Sequence, residues 1–239
     1  MVLAGCSFQE GTLLEPDSGG VGSDPTSDGG TTSRVCKYGH PSLRLCLEFD
    51  DGSVNPVYDA STARLNIESQ NLEKLNGPRS PAAATVLNST LHVPETQNLD
   101  VTTQATLEMW VGPAFDISST LINNDSQYGM WLDDEQRVNC KFGNATVTSD
   151  THAPLGYWSH VACTYDGTLV TAYVSTPTEN TAKCANGSGS IPTGGWKGTW
   201  IAPSVALGID DIHIYAAALS GAEICTHADV TCALACTPE

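Results

Sequence analysis

Downstream of about Val35, apolar and polar residues alternate along most of the chain. Leu43-Arg44-Leu45-Cys46-Leu47-Glu48-Phe49 alternates with period two and stops at Asp50-Asp51-Gly52. Such alternation marks a strand with one buried face. Thr106-Leu107-Glu108-Met109-Trp110-Val111 repeats the pattern and stops at Gly112-Pro113. Gly129–Leu132, Arg137–Phe142 and Trp158–Tyr165 follow as strands. Asp166-Gly167 then predicts a tight hairpin into Leu169–Val174, and Gly208–Tyr215 is the last strand. Helical periodicity is confined to Ser220–Ala228, where Ser220 and Glu223 predict an N-terminal capping box. Turn residues recur roughly every ten positions, which predicts an all-β, antiparallel β-sandwich with a short C-terminal helix. No internal repeat is present.

The same periodicity assigns faces. Val161, Cys163 and Tyr165 share one face of their strand, and Val138, Cys140 and Phe142 form a matching face on what reads as the preceding strand. Trp158 is large enough to anchor the core. His160 points away from Val161 and reads as a histidine hydrogen-bonded to a neighbouring loop.

Composition separates the chain into parts. Residues 7–33 hold 17 Gly, Ser, Thr or Pro among 27 positions, with five acids and no Lys or Arg. Such a stretch lacks the apolar surface to offset its ordering entropy. Residues 7–34 are therefore expected to be a disordered tether, with a reach of roughly 30 Å. Residues 35–239 form one domain, long enough to bury a full core. The chain carries 10 Lys+Arg against 27 Asp+Glu, a formal net charge of −17. Phosphate binding needs a basic footprint, so nucleic acid and anionic lipid are excluded as default partners.

Three phrases along the strands carry a resemblance. They are Ala105-Thr106-Leu107-Glu108-Met109-Trp110-Val111, Trp158-Ser159-His160-Val161-Ala162-Cys163-Thr164-Tyr165-Asp166-Gly167, and Gly208-Ile209-Asp210-Asp211-Ile212-His213-Ile214-Tyr215 with Ala218-Leu219-Ser220-Gly221-Ala222-Glu223-Ile224. In this order they resemble the bacterial form of the laminin-G-like, concanavalin-A-like jelly-roll superfamily. Leu45–Asp50, with Asp59-Ala60-Ser61 after it, is similar to the family's first strand and the phrase that follows. The likeness spans about residues 43–225, and it lacks the family's Phe before the last phrase and one residue between Gly208 and Ile209. Separately, Leu3-Ala4-Gly5-Cys6 resembles the bacterial lipobox, which implies a lipidated Cys6 in an exported envelope lipoprotein. Residues 1–6 would then be a truncated signal with its lipobox.

The resemblance implies chemistry that can be checked against the residues. Glucanases of this fold set two Glu around an Asp on one strand, because glycoside hydrolysis needs paired carboxylates. The chain has no such pattern, and Asp133-Asp134-Glu135 falls at a hairpin turn. A nucleophile elbow, a phosphate loop and a dinucleotide fingerprint are also missing. The family's structural calcium, carried over by position, would use Asp50 or Asp51 with Asp210, and Asp211 beside it. Sugar recognition in such folds uses aromatic platforms, for which Tyr128, Trp131, Trp196 and Trp200 are the candidates.

Nine cysteines are present. With Cys6 acylated, eight remain, an even set with on the order of a hundred possible pairings. Cys140–Cys163 is expected first, with one of Cys225, Cys232 and Cys236 tied to Cys36 or Cys46. The lack of a C-x-x-C pair argues against a zinc site. The expectation is therefore a monomeric, envelope-anchored, non-catalytic module that binds a glycan or a surface protein and touches the membrane only through its lipid. A glycan-active hydrolase or lyase with a non-standard site, or a purely structural envelope module, are the rival readings.

Overall fold

The structure is a computed structural model that describes residues 36, 40–50, 52–78, 81–85, 89–112, 118–125, 127–187, 191–192, 196–203, 207–230, 232 and 236. The expectations for residues 1–6, the tether at 7–34, and Asp51 lie outside the described residues.

Two antiparallel sheets form a sandwich. The eight-stranded sheet runs in the order β13 (Asn180–Asn186), β12 (Leu169–Ser175), β11 (Ser159–Tyr165), β6 (Ala105–Gly112), β15 (Leu207–Tyr215), β4 (Pro81–Thr85) and β3 (Glu73–Asn76), with β1 (Leu43–Leu47) also paired to β15. The seven-stranded sheet runs β10 (Ala145–His152), β9 (Arg137–Phe142), β8 (Tyr128–Leu132), β7 (Ser119–Asn124), β14 (Thr199–Ile201), β5 (Thr90–Val93) and β2 (Glu68–Gln70). Below these are called the first and second sheets. Leu107, Met109, Val111, Val161, Ile212 and Ile214 face inward from the first sheet, and Leu121, Ile122, Met130, Val138 and Phe142 from the second. Burial of this apolar face stabilises the sandwich by roughly 25 cal/mol per Å² removed from water. The Asp166-Gly167 turn joins β11 to β12, with Gly167 at φ 102° and the Asp166 side chain accepting from the backbone of Thr168 and Leu169.

Two sequence expectations need correction. β9 and β11 are not neighbours: β10 lies between them in sequence, and they belong to opposite sheets. The Cys140–Cys163 bridge therefore forms as expected, but it crosses the core between sheets. Period-two alternation reads the face correctly without saying which sheet that face belongs to. Beside the bridge, Phe142 and Tyr165 stack with centroids 5.6 Å apart. Trp158 is only half-buried and is not part of the core. It covers the outward side of the paired residues Gly112 and Gly208, where a Cβ would meet the indole at less than 3 Å.

The outer side of the first sheet is also covered. After β15 the chain turns into α1 (Gly221–His227), with Ser220 at the N-cap and a capping box closed by Glu223, as the sequence predicts. α1 lies against β12. Leu43, Cys46, Ala162, Tyr173, Tyr215, Leu219 and Ile224 form a second apolar cluster beneath this strap. The other bridges are Cys36–Cys46, Cys184–Cys236 and Cys225–Cys232. The expected tie between the last cysteines and Cys36 or Cys46 is therefore wrong. Cys236 is bridged to Cys184 of β13 instead.

Candidate functional site

The outer face of the second sheet carries an open row of side chains. Strand register places Glu68, His92, Trp200, Asn123, Gly129, Lys141 and Thr146 side by side across seven strands. The neighbouring row holds Thr120, Trp131, Asn139 and Thr148. Gly129 has no side chain, so the sheet surface dips between its neighbours. A depression of about 200 Å³ forms there, lined by Thr120, Asn123, Asp125, Trp131 and Lys141 among others.

The aromatic residues of this face are fixed by their neighbours. Trp200 stacks on His92 with centroids 4.2 Å apart and planes at 23°. His92 Nδ1 lies 2.9 Å from Glu68 Oε2 and Nε2 lies 2.7 Å from the Lys197 carbonyl. Trp131 and Trp200 are partly exposed on the same face, two strands or about 10 Å apart. Trp196 is 92% exposed on the bend before β14. The backbone N–H of Lys197 beside it donates to Asp125 on the rim of the depression.

Tyr128 does not fit the expected platform role. Its side chain is 1% exposed, its hydroxyl donates to the Leu99 carbonyl, and Asn124 donates to that oxygen. Burial pushes its phenol up to about 12. Tyr128 faces inward because it sits in phase with Met130 and Leu132 on β8. Asp133 likewise proves to be a turn residue, accepting from the backbone of Glu135 and Arg137 and pairing with the Arg137 guanidinium.

A second group of functional side chains lies under the strap, and the sequence did not single it out. Glu108, at the centre of β6, is fully buried. His213 of β15 sits opposite it, and His213 Nδ1 donates to Glu108 Oε1 at 3.0 Å. His227 Nδ1 of α1 lies 2.8 Å from the same oxygen, and the Tyr215 hydroxyl donates to it at 3.3 Å. His160 Nε2 lies 3.7 Å from Oε2. Burial alone would raise the Glu108 carboxyl, but the hydrogen bonds from His213 and His227 outweigh it and hold the group below the usual carboxylate range. His160 faces Glu108, with Trp110 edge-on at 5.4 Å. Tyr215 is pushed well above an ordinary phenol, first by burial and then by the Glu108 charge.

Of the expected calcium residues, Asp51 lies outside the described residues, Asp50 follows β1, and Asp210 belongs to β15. Asp50 is half-buried, whereas Asp210 is fully buried on β15, accepts from the Asp211 backbone and sits opposite Trp110. Asp50 and Asp211 both act on Glu48, whose carboxyl is pushed up to about 7, chiefly by burial. Asp59 is a structural acid. Its carboxylate accepts from the backbone of Cys46, Ser61 and Leu65 and from the Ser61 hydroxyl, tying the loop after β1 back onto that strand.

The profile of the concanavalin A-like lectin/glucanases superfamily, in its third laminin-G form, matches residues 87–225. The chain belongs to this superfamily. Its solved neighbours within the fold are distant. Domain 4 of AbnA, an extracellular arabinanase from Geobacillus stearothermophilus solved with arabinotriose, is 17% identical with a TM-score of 0.59, over 78% of this chain and 98% of that one. The binding domain of botulinum neurotoxin DC, solved with rat synaptotagmin II, is 12% identical with a TM-score of 0.58, over 79% of this chain and 51% of that one. The binding domain of Paraclostridial Mosquitocidal Protein 1 is 15% identical with a TM-score of 0.55, over 77% of this chain and 51% of that one. The chain thus spans about half the length of these toxin binding domains. At such identities the likeness speaks for the fold. No curated protein matches the sequence significantly.

Proposed function

We propose that this superfamily member is a non-catalytic binding module that takes a carbohydrate on the outer face of its second sheet. The observation that carries the reading is the depression over Gly129, flanked by Trp131 with Asn123 and Lys141 as polar neighbours and with Trp200 on the same face. Flat aromatic faces and a few fixed polar groups are what a sugar requires of a binding surface. Asp125 is the only carboxylate among the residues lining the depression. Glycoside hydrolysis needs two, which favours binding over cleavage. Neighbours of the same fold that were solved with arabinotriose and with a protein receptor support a glycan or protein ligand. A glycan array probed with the full chain, followed by a reducing-end assay on each hit, tests this. Binding without product supports the reading, release of reducing ends overturns it in favour of a hydrolase or lyase, and silence in both leaves a structural module.

The reading includes an envelope attachment through Cys6 and a monomeric chain held by its tether. Mass spectrometry of the exported protein would show acyl mass on Cys6; an unmodified Cys6 removes the anchor. A structural calcium at Asp50, Asp51 and Asp210 belongs to the same proposal. Calcium titration with an EDTA control tests it, and no heat together with an unchanged Tm refutes it.

A further inference from the structure

The outer face of the first sheet also gathers a second set of side chains, around Glu48. Cys46 and Glu48 stand two residues apart on one side of the chain at β1, and register puts His213 of β15 opposite Cys46. Cys36 closes the group from the segment before β1. Its backbone N–H donates to Glu48 Oε1 at 3.3 Å, and the Cys46 sulfur lies 3.5 Å from the same oxygen. The two sulfurs, a Glu48 oxygen and a His213 ring nitrogen all lie within 4.8 Å of one another.

The surroundings of His213 make this more than a chance cluster. Its Nδ1 is committed as a donor to the ionised Glu108, so Nε2 is the nitrogen left to present a lone pair. Nε2 is buried and has no hydrogen-bond partner among the described residues, in a side chain that is 1% exposed. A carboxylate–histidine pair of this kind is how metal-ligating histidines are oriented.

We propose that Cys36, Cys46, Glu48 and His213 form a zinc site when the Cys36–Cys46 bridge is reduced, with Glu108 positioning His213. Two thiolates, an imidazole and a carboxylate are a tetrahedral zinc ligand set. Bonds of about 2.0–2.3 Å separate such ligands by roughly 3.3–3.8 Å, so the two sulfurs move apart on reduction while the wider-spaced ligands draw in by about 1 Å. The exchange balances. A dithiol reductant supplies two electrons and two protons, the S–S bond breaks to two thiols, and the reductant becomes a cyclic disulfide. Zinc then forms two Zn–S bonds and releases the two thiol protons. Disulfide and zinc are alternative clasps on the same two sulfurs, and either one fastens the segment at Cys36 to β1. Motif spacing along the chain did not point here because His213 comes from across the sheet.

The test uses the full chain, reduced anaerobically with dithiothreitol, freed of reductant, given one equivalent of zinc, then alkylated and mapped by peptide mass spectrometry. Zinc is expected to slow alkylation of Cys36 and Cys46 by an order of magnitude while leaving Cys232 and Cys236 reactive. Glu48→Gln and Glu108→Gln are expected to weaken zinc affinity by about ten-fold or more. Cobalt in place of zinc should give a thiolate charge-transfer band and the visible bands of a tetrahedral site. Unchanged alkylation at Cys36 and Cys46, or protection at Cys184, Cys225, Cys232 or Cys236 instead, overturns the proposal. If reduction alone unfolds the chain, zinc must restore the β-sheet circular dichroism, and failure to do so also overturns it.

Discussion

Replacing His227 with Ala removes the one side chain by which α1 grips the buried Glu108. A hydrogen bond to a charged group contributes about 1.5–3 kcal/mol, and leaving a buried carboxylate short of a donor costs in the same range. The lower half of that range applies here. His213 and Tyr215 still donate to the same oxygen, and the His227 side chain is 19% exposed, so water can reach the vacated space. For a domain of this size, about 1.5 kcal/mol corresponds to a Tm fall of roughly 3–6 °C. Differential scanning calorimetry of the oxidised protein reads this directly. Because the Glu108 carboxyl is lowered in the fold, the stability it contributes is present above the unfolded carboxylate pKa and is lost as pH falls through the lower folded value. The H227A penalty should therefore stay constant from pH 7 down to about pH 5 and shrink only in strong acid. In the double variant with Glu108→Gln the two effects should be strongly non-additive, since the residues touch. An H227A protein that keeps its fold at pH 7 with a Tm within about 1 °C of the parent would show that the contact does not hold the strap, whatever its geometry.

Other expectations follow from named contacts. Trp131→Ala and Trp200→Ala should each weaken binding of the array-identified glycan by about 2 kcal/mol, near thirty-fold, in isothermal titration, with Tm unchanged; full affinity in both would move the site elsewhere. Glu48 has a raised pKa, so the folded state holds its proton to higher pH than the unfolded chain does. Stability should fall as pH rises from about 4.5 to 7, and Glu48→Gln should flatten that slope in urea melts; a slope unaffected by the variant refutes it. Removing Cys184–Cys236, whose cysteines are 52 positions apart, should cost about 4 kcal/mol, against about 2.4 for Cys225–Cys232, seven positions apart, in the chain-entropy account of double Ser variants. Equal losses would mean that the first bridge does more than shorten the unfolded chain.

The strands with strict alternation were legible from sequence: Arg137–Phe142 has the predicted bounds, and β1, β6, β11 and β15 are shifted by at most two residues. The strands that alternation missed include β2, β13 and β14, which have exposed, polar or very short sequences. They form because a paired neighbour supplies their hydrogen bonds, and that is a tertiary effect. Trp131 and Trp200, chosen for their place near turns, stand partly exposed on the outer face of the second sheet, whereas Tyr128 is buried because a tyrosine near a turn says nothing about which side of its strand is inward. Glu108 and His213 gave no signal, and His160 gave only its outward direction, since an outward-facing polar residue on a strand is the ordinary case. Among the described residues, α1 and the apolar cluster around it make their face an interior.

The covering of the first sheet has a directional consequence. Cys36 is joined to Cys46, and Cys236 to Cys184, so both ends of the described chain are fastened on that same side. The Trp131 and Trp200 surface lies on the other side of the sandwich. The domain is thus polar in the mechanical sense: whatever pulls on or is joined to either end of the described chain pulls from behind the face that carries Trp131 and Trp200. A partner fused or immobilised at either end leaves that face pointing outward, and load applied through the ends passes into β1 and β13 before it reaches the strands that carry the tryptophans.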